Sequence, residues 1–354
     1  MNNIKLENYK YYPALRTRAS EIQGLKQLSI ENKKKIIPLI TLGKWPRSED
    51  IRISVDKTLD AMDGNPFIID VTQENKHHCD TSLNLLSPDN GFKNWLEFCD
   101  SYENVIPTIQ IPQSAKLRDI VIQAKLLERL HRLVAFRIRN LTTDINKVIS
   151  CLASLDNPEN AIVFIDLNYI RGNFPAATAA AINAINQLRT EIPETIISVL
   201  TTSFPSSVTS FCDESGQRGF IDLMERDFYQ SIGGQSVSIY GDHSSIHSVV
   251  YDDSMGRYVP RIDIALDDAW YFERRPGYDS KGYVEAAKEI LNKFPNYHNE
   301  QTWGAQMIRN AANGNTDRMG SPSKWIAVRV NLHLSKQIES SEIIYNDEDE
   351  ELEF

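Results

Sequence analysis

Long hydrophobic runs are missing from this sequence of 354 residues. The longest apolar stretches, such as AIVFI and IIPLITL, have the length of a β-strand and are far too short to cross a bilayer. The amino terminus, MNNIKLENYKYYP, contains no apolar segment of the kind found in secretory leaders. We therefore expect a cytoplasmic protein that makes no use of a membrane.

Cysteine is also scarce, and its spacing carries no pattern. The four cysteines, Cys79, Cys99, Cys151 and Cys212, form no C-x-x-C pair. This distribution argues against a zinc ribbon and against a disulfide framework, and it fits a reducing compartment.

The common nucleotide-binding and hydrolase motifs are absent. The sequence has no G-x-x-x-x-G-K-[ST], no G-x-G-x-x-G and no G-x-S-x-G. Ser206 and Ser207 therefore lack the glycines of a nucleophile elbow, which leaves a serine hydrolase of that type unsupported.

Negative charge is in excess and unevenly distributed. The formal net charge is −10, and six of the last eight residues are acidic. We expect residues 339–354 to form a solvated, disordered tail; the alternative is a segment that docks on a basic partner or imitates nucleic acid. An acidic chain is a poor non-specific DNA binder, although a local basic groove stays compatible with this balance.

Eight strand-like runs recur along the chain, with helical stretches between them. They cover residues 12–18, 36–42, 66–72, 105–111, 133–139, 161–167, 195–203 and 236–243. Alternating strands and helices predict an α/β fold, most simply a (β/α)8 TIM-like barrel over residues 1–250, with an open doubly wound sheet as the alternative. Extended segments in 257–277 and an amphipathic helix over 279–294 predict an α+β extension, residues 251–338, packed on the barrel.

Polar side chains close most of the predicted strands. They are Arg16, Arg18, Asp70, Gln110, Arg137, Arg139, Asp166, Asn168 and, just past the eighth strand, Asp242 and His243. The carboxyl ends of barrel strands build the active site in this fold, so we expect these groups to meet in one pocket. A network of acids and arginines that only fills the barrel mouth is the alternative, because buried charges must be paired in either case.

The residue types in this cluster suit a phosphorylated ligand. Arginine offers a planar fork of donors that matches phosphate, so we expect Arg16, Arg137 and Arg139 to hold it. Asp70, Asp166 and Asp242 are the candidate catalytic groups, acting in acid–base chemistry or as ligands of a divalent cation. Ser206 and Ser207, in the loop SFPSSV, add hydroxyl groups where barrels often hold phosphate. The H-x-x-x-H spacing of His243 and His247 is a weaker hint of metal binding, and the metal stays unknown.

Several short motifs, in their order along the chain, resemble the Beta protein family. They are YYPALRTRASEIQGLKQL, IIPLI, FIID, SFP, YGDH, AWYFERR and the closing G-x-x-x-x-W…N-x-H. We associate that family with phage T4 and with other phages and bacteria. By this resemblance, the family positions fall on Arg16, Glu21, Asp242, Trp270, Arg274, Gly320, Trp325, Asn331 and His333, while His243, Ala305 and Leu332 depart from its usual residues.

The resemblance implies a role in phage–host conflict, as defence or counter-defence, without implying a chemical activity. Two hypotheses follow. The first is a barrel effector whose pocket binds a nucleotide or nucleic-acid end, with ligand contacts that include Trp270 and Arg274, and with phosphodiesterase- or nuclease-like activity. The second is a non-catalytic scaffold or regulatory subunit of a defence or toxin–antitoxin-like complex, whose protein partner is encoded nearby.

Overall fold

A computed structural model describes residues 4–248 and 258–351. Its strands are β1 (Tyr11–Arg16), β2 (Leu39–Leu42), β3 (Phe67–Val71), β4 (Val105–Pro107), β5 (Val134–Ile138), β6 (Ala161–Tyr169), β7 (Ile196–Thr202), β8 (Arg218–Asp222), β9 (Ile239–Asp242), β10 (Arg261–Ala265) and β11 (Ala269–Arg274).

The helices in these ranges fall mainly between consecutive strands. They are α1 (Ala19–Lys26), α2 (Ile30–Lys34), α3 (Arg52–Met62), α4 (Asp80–Leu85), α5 (Lys93–Asp100), α6 (Leu117–His131), α7 (Leu141–Leu152), α8 (Phe174–Glu191), α9 (Glu225–Ser231), α10 (Gly282–Lys293), α11 (Trp303–Ala312) and α12 (Pro322–Glu351). Short 3-10 turns lie at Leu6–Asn8, Asn75–His77, Pro158–Asn160, Thr209–Phe211, Gly234–Ser236 and Pro295–His298.

Eight parallel strands form a single sheet that closes into a barrel. Their order is β4-β3-β2-β1-β9-β7-β6-β5. A parallel bridge between Thr108 and Ala135 joins the two edge strands, and the N–H of Ile109 donates to the carbonyl of Ala135 at 2.8 Å. The predicted (β/α)8 barrel is thereby confirmed, and each of the eight predicted runs overlaps one of its strands.

Strand alternation separates two apolar layers. On β1, Tyr12 and Ala14 belong to the core inside the barrel, together with Leu39, Ile68 and Phe164. The alternate residues of the same strands pack outward against the helices and form the larger core. The inner layer fills the lower barrel mainly with apolar side chains, and the charged inward-facing side chains of the described strands lie near the carboxyl ends.

The final helix, α12, completes the ring of helices around the barrel. It contacts α1 and β1, and Arg226 on α9 donates to the side chains of Gln337 and Ser341. One face of α12 packs in the core between the barrel and its helices, through Val330, Leu334 and Ile338. The other face packs in the core of the extension, through Trp325, Val328 and Leu332. The apolar residues of WIAVRVNLHL are compatible with either a helix or an alternating strand, and burial on both faces of the helix explains this ambiguity. The helix continues through part of the predicted tail to Glu351.

The extension is built on a small antiparallel sheet of order β10-β11-β8. The predicted extended segments are β10 and β11, and the predicted helix is α10. The remaining strand, β8, comes from the connection between β7 and β9, where we predicted none. Barrel and extension therefore share segments, since β8 lies within residues 1–250 and α12 serves both bodies.

Two glycines let α12 approach its neighbours closely. A Cβ on Gly24 would lie 2.8 Å from the carbonyl oxygen of Ala327, and one on Gly304 would lie 2.6 Å from Leu332. Asn331 spans the gap, donating to the carbonyl of Gly24 at 3.2 Å and accepting from the N–H of Gly304 at 2.9 Å. The asparagine thus joins α1, α12 and α11 through their backbones.

The structure bears on two features of the composition, the lack of long apolar runs and the scattered cysteines. The helices within the described ranges are too short or too polar to span a membrane. The four cysteines are free thiols, three of them buried and Cys212 partly exposed.

Candidate functional site

Inward-facing polar side chains converge at the carboxyl-end mouth of the barrel. Arg16 is the last residue of β1, Thr41 lies on β2 and Asp70 on β3. Arg137 and Asp166 come from β5 and β6, with Arg139 and His243 just beyond β5 and β9. Strands distant in sequence therefore place their last inward positions around one opening, as the parallel barrel requires.

Arg137 lies at the centre of this network. Its Nε and Nη2 donate to Oδ2 of Asp166 at 2.9 and 2.6 Å. Its Nη1 donates to Oδ2 of Asp70 at 2.9 Å and to the hydroxyl of Thr41 at 2.8 Å. With its side chain only 8% exposed, the guanidinium is held by two carboxylates on opposite sides.

Arg139 shares one of these carboxylates and is more accessible. Its Nη2 donates to the same Oδ2 of Asp70, and its side chain is 23% exposed. Asp70 is fully buried and is also approached by the side-chain amide of Gln110 at 3.4 Å. Asp70 therefore lies beneath the two arginines, and Gln110 supports it from below rather than reaching the opening.

Asp166 orients an imidazole. Its Oδ1 accepts from Nε2 of His243 at 2.9 Å, while Oδ2 is taken by Arg137. Burial opposes ionisation of this carboxyl, but the charges and hydrogen bonds of His243 and Arg137 outweigh burial and hold the pKa of Asp166 well below its usual range. An ionised Asp166 fixes the hydrogen on Nε2, so a neutral His243 carries its lone pair on Nδ1.

A bulge in β6 supports this arrangement. The pairing of β6 with β7 shifts register between Asp166 and Asn168, and Asn168 has a positive φ of 58°. Asparagine tolerates this left-handed conformation better than most residues. The shift lets the N–H of Asn168 donate to Oδ1 of Asp166 at 3.0 Å. Asn168 therefore contributes its backbone to the site and its side chain to the rim.

A cavity of about 190 Å³ opens above the network. Its walls include Arg16, Thr41, Arg137, Arg139, Asp166, Asn168, His243, His77 and His247. Sequence reasoning missed Thr41 and did not connect His77 and His247 with the strand ends. Thr41 follows an apolar run at the end of a predicted strand, which is the signal that would have found it.

Three histidines, His77, His243 and His247, line the cavity at the mouth. Burial, with Arg18 nearby, lowers the pKa of His77, and burial lowers that of His247. The segment from Asp242 to His247 is a turn in which Ser244 and Ser245 have positive φ, so the H-x-x-x-H spacing does not lie on a helix. His243 and His247 reach the same cavity through this turn.

Arg16 forms the boundary of the cavity next to the extension. Its backbone N–H and Nε donate to Glu21 at 2.7 and 3.2 Å, and its Nη2 donates to the carbonyl of His247 at 3.2 Å. Glu21 thus caps the turn after β1 and neutralises Arg16. Arg18 lies further out, where its Nη2 donates to Nε2 of His77 at 3.3 Å.

Asp242 is placed apart from the other candidate acids. It faces outward from β9, is buried, and does not line the cavity at the mouth. It accepts from the hydroxyls of Tyr11 and Tyr240, from Nε2 of His333 and from the N–H of Ser244. Burial raises the pKa of such a carboxyl, but these partners, His333 foremost, bring the pKa of Asp242 below its usual value. Its position fits a structural carboxylate in the barrel wall.

The remaining candidate residues also lie away from the mouth. Trp270 is fully buried, stacks on His333 at 5.6 Å between ring centroids and meets Phe204 edge to face. Ser206, Ser207 and Arg274 line clefts on the extension side. Of the family's departures, Ala305 and Leu332 lie in the apolar core of the extension.

The divalent cation suggested by the acids finds no set of ligands in the described chain. No group of three His, Cys, Asp or Glu side chains there is arranged to hold a metal ion. Asp70 and Asp166, the acids best placed for this role, accept from guanidinium groups instead.

Comparison with known proteins confirms the family that the sequence motifs resemble. The Beta protein family profile matches residues 11–339. Protein beta of Enterobacteria phage P4 is 66% identical over 350 residues, covering 98% of this chain and 99% of that protein. The expected association with phage T4 is wrong in this detail, since this relative comes from phage P4. The chain belongs to the Beta protein family and is related to a phage protein.

Proposed function

We propose that the barrel mouth binds the phosphate of a nucleotide or nucleic-acid end. The observation that carries this proposal is the layering of charge at the mouth. Arg137 and Arg139 line the cavity, whereas Asp70, the carboxylate they share, is fully buried and does not line it. The carboxylates of Glu21, Glu74 and Asp166 also line the cavity, but Asp166 is paired with Arg137 and Glu21 with Arg16. Arg139, with 23% of its side chain exposed, is a guanidinium that a phosphate can reach and bind through paired hydrogen bonds.

The Asp166–His243 pair gives the same cavity a group for proton transfer. A carboxylate that fixes the Nε2 hydrogen leaves Nδ1 able to accept a proton, as in other oriented imidazoles. We infer that His243 assists hydrolysis of the phosphate ester held at Arg137 and Arg139. His243 takes a proton from the attacking water as a new P–O bond forms, and the leaving ester oxygen takes up a proton from solvent as its own P–O bond breaks. The phage relative suggests phage–host conflict as the setting for this activity.

Calorimetric titration with thymidine 5′-monophosphate and with inorganic phosphate tests binding. Arg139→Gln is the informative variant because Arg139 is accessible and its loss leaves Asp70 paired with Arg137. We expect affinity to fall at least 10-fold, by about 1.4 kcal/mol. Arg118→Gln, an exposed arginine on α6, serves as the matched control. Absence of binding by the wild type, or equal binding by Arg139→Gln, would overturn the proposal.

Hydrolysis is tested separately with a short 5′-phosphorylated oligonucleotide, whose products are resolved by chromatography. His243→Gln should retain ligand affinity within about threefold and lose turnover by about 100-fold or more, the range of general acid–base catalysis. A wild type that binds but never cleaves would leave phosphate binding intact and remove the hydrolytic assignment.

A scaffold function is the second candidate, and an exposed apolar stripe favours it. Ile122, Leu126 and Leu130 on α6 recur at a spacing of four and are 36%, 36% and 51% exposed. Such a stripe is typical of a surface that packs against another protein. Co-expression with the products of neighbouring genes tests it. Replacing the three residues by serine should abolish co-elution of one such product, and unchanged co-elution or the absence of any complex would argue against a scaffold.

A further inference from the structure

A second cleft continues from the mouth along the seam between the barrel and the extension. It has a volume of about 230 Å³, and it shares Arg16, Glu21, Ile246 and His247 with the cavity at the mouth. Arg18, Arg261 and Arg329 are also in its wall. Four arginines thus face one cleft that contains a single acid, Glu21, in its wall.

The charges beneath this cleft are not balanced. Nη1 of Arg329 lies 3.1 Å from Oδ2 of Asp263, and Nε of Arg261 lies 3.0 Å from Oδ1 of the same carboxylate. Asp263 and Arg329 are buried, with 3% and 5% of their side chains exposed. One carboxylate therefore serves two guanidinium groups, of which Arg329 is buried and Arg261 is 26% exposed, so the three side chains carry a net positive charge.

Arg329 shows the consequence of this imbalance. Burial lowers the pKa of its guanidinium to about 10, despite the opposing charge of Asp263. Its Nε is buried and has no hydrogen-bond partner in the described chain, and its guanidinium lies 4.0 Å from the ring of Phe204. An anion in the cleft, which Arg329 lines, would supply the missing negative charge.

A third cleft extends the same path and differs in chemistry. It has a volume of about 470 Å³ and shares Ser206, Arg261 and Ile326 with the second. Its wall adds the hydroxyl residues Ser207 and Thr209, as well as Tyr258, which is 44% exposed. Hydroxyls bind phosphate oxygens, and an exposed ring offers a stacking surface for a base.

We propose that the seam holds a further phosphate of the ligand bound at the mouth, so that the ligand is the end of a single-stranded nucleic acid. This inference rests on the proposed function of the mouth. The terminal phosphate lies at Arg137 and Arg139, the next phosphate at Arg261 and Arg329, and a base near Tyr258. Four arginines and a single acid give the cleft an excess of positive charge, which concentrates the field locally and reconciles the site with an acidic chain.

Calorimetry with three probes tests this proposal: thymidine 5′-monophosphate, a 5′-phosphorylated hexathymidylate and a 5′-phosphorylated hexauridylate. The wild type should bind at least one hexamer 10-fold or more tightly than the mononucleotide. Arg261→Gln should remove most of that advantage and leave mononucleotide affinity unchanged, because Arg329 and Asp263 then form a neutral pair. The salt dependence of hexamer affinity should fall by about 0.7 in log–log slope, the value for one lost contact to a single strand.

The variants separate the two proposals. Arg261→Lys, which keeps the charge, should retain most of the hexamer affinity, and matching melting temperatures exclude a folding defect. Equal affinity for hexamers and mononucleotide, or hexamer binding that Arg261→Gln leaves unchanged while Arg139→Gln weakens it, would overturn the seam site alone. Hexamer binding that Arg139→Gln leaves unchanged would overturn the mouth site, and this inference with it.

Discussion

Nε2 of His333 lies 2.8 Å from Oδ2 of Asp242, and the pair is buried outside the barrel wall. Asp242 ends β9, and His333 comes from α12, 91 residues further along the chain. The pair therefore joins the barrel to the helix that closes it, beneath the ring of Trp270. The family positions at Asp242, Trp270 and His333 thus meet in a structural contact.

Replacing Asp242 by asparagine tests this structural assignment. The amide cannot carry the charge that His333, Tyr11 and Tyr240 surround, so we expect a loss of about 3–5 kcal/mol in the free energy of unfolding. Chemical denaturation measures this loss, with the exposed Asp317→Asn as control. Below the unfolding transition, phosphate affinity should match the wild type; a folded variant with at least 10-fold weaker binding would return Asp242 to the site.

Arg137 and Arg139 should separate stability from binding. Arg137 is 8% exposed and compensates two carboxylates, so Arg137→Gln should cost about 3–5 kcal/mol of unfolding free energy. Arg139 is 23% exposed and shares Asp70 with Arg137, so Arg139→Gln should cost about 1 kcal/mol and act mainly on ligand affinity. Denaturation and titration of both variants check this ordering. Equal stability losses without any effect on binding would mean that the network only fills the mouth.

The strands could be predicted from the sequence because each is a short apolar run between helical segments. The inward or outward direction of β9 could not. In SIYGDH, either Tyr240 and Asp242 or Gly241 and His243 can face inside, since both sets alternate. Steric crowding around Gly241 selects between the two directions. A Cβ at Gly241 would lie 2.5 Å from Oγ of Ser198 and 3.1 Å from the carbonyl oxygen of Tyr12. Only glycine fits the crowded interior there, which turns Asp242 outward.

The seam site was hidden from the sequence for a different reason. Arg261, Asp263 and Arg329 belong to β10 and α12, and no periodicity indicates which residues of an extension lie beside a barrel mouth. The arginines at the strand ends were predictable because parallel topology alone brings them together. A contact between a strand and a helix 66 residues apart depends on tertiary packing.

Gly24→Ala should destabilise the closure of the barrel by α12. The added methyl group would lie 2.8 Å from the carbonyl oxygen of Ala327 and from Val330, in a packed interface that cannot yield without moving α1. Overpacking of this kind costs about 1–3 kcal/mol. Gly172→Ala is the matched control because its Cβ would meet nothing within 4 Å. Thermal unfolding of the two variants measures this loss. Equal melting temperatures would show that the interface between α1 and α12 can accommodate the added methyl group.

Acid sensitivity should depend on Asp166. The pKa of this carboxyl is lower in the folded chain than the ordinary value of 3.8, so the folded state holds its proton more weakly than the unfolded state does. Its contribution is therefore fully present above about pH 4 and is lost as the pH falls toward the folded pKa. In Asp166→Asn, the slope of unfolding free energy against pH should be shallower by about 1.4 kcal/mol per pH unit near pH 2, the value for one proton, and by less toward pH 4, where the unfolded carboxyl is already partly ionised. The exposed Asp317→Asn should keep the wild-type slope. Denaturant titrations at successive pH values measure both, and parallel curves for wild type and Asp166→Asn would contradict an ionised Asp166 held by Arg137 and His243.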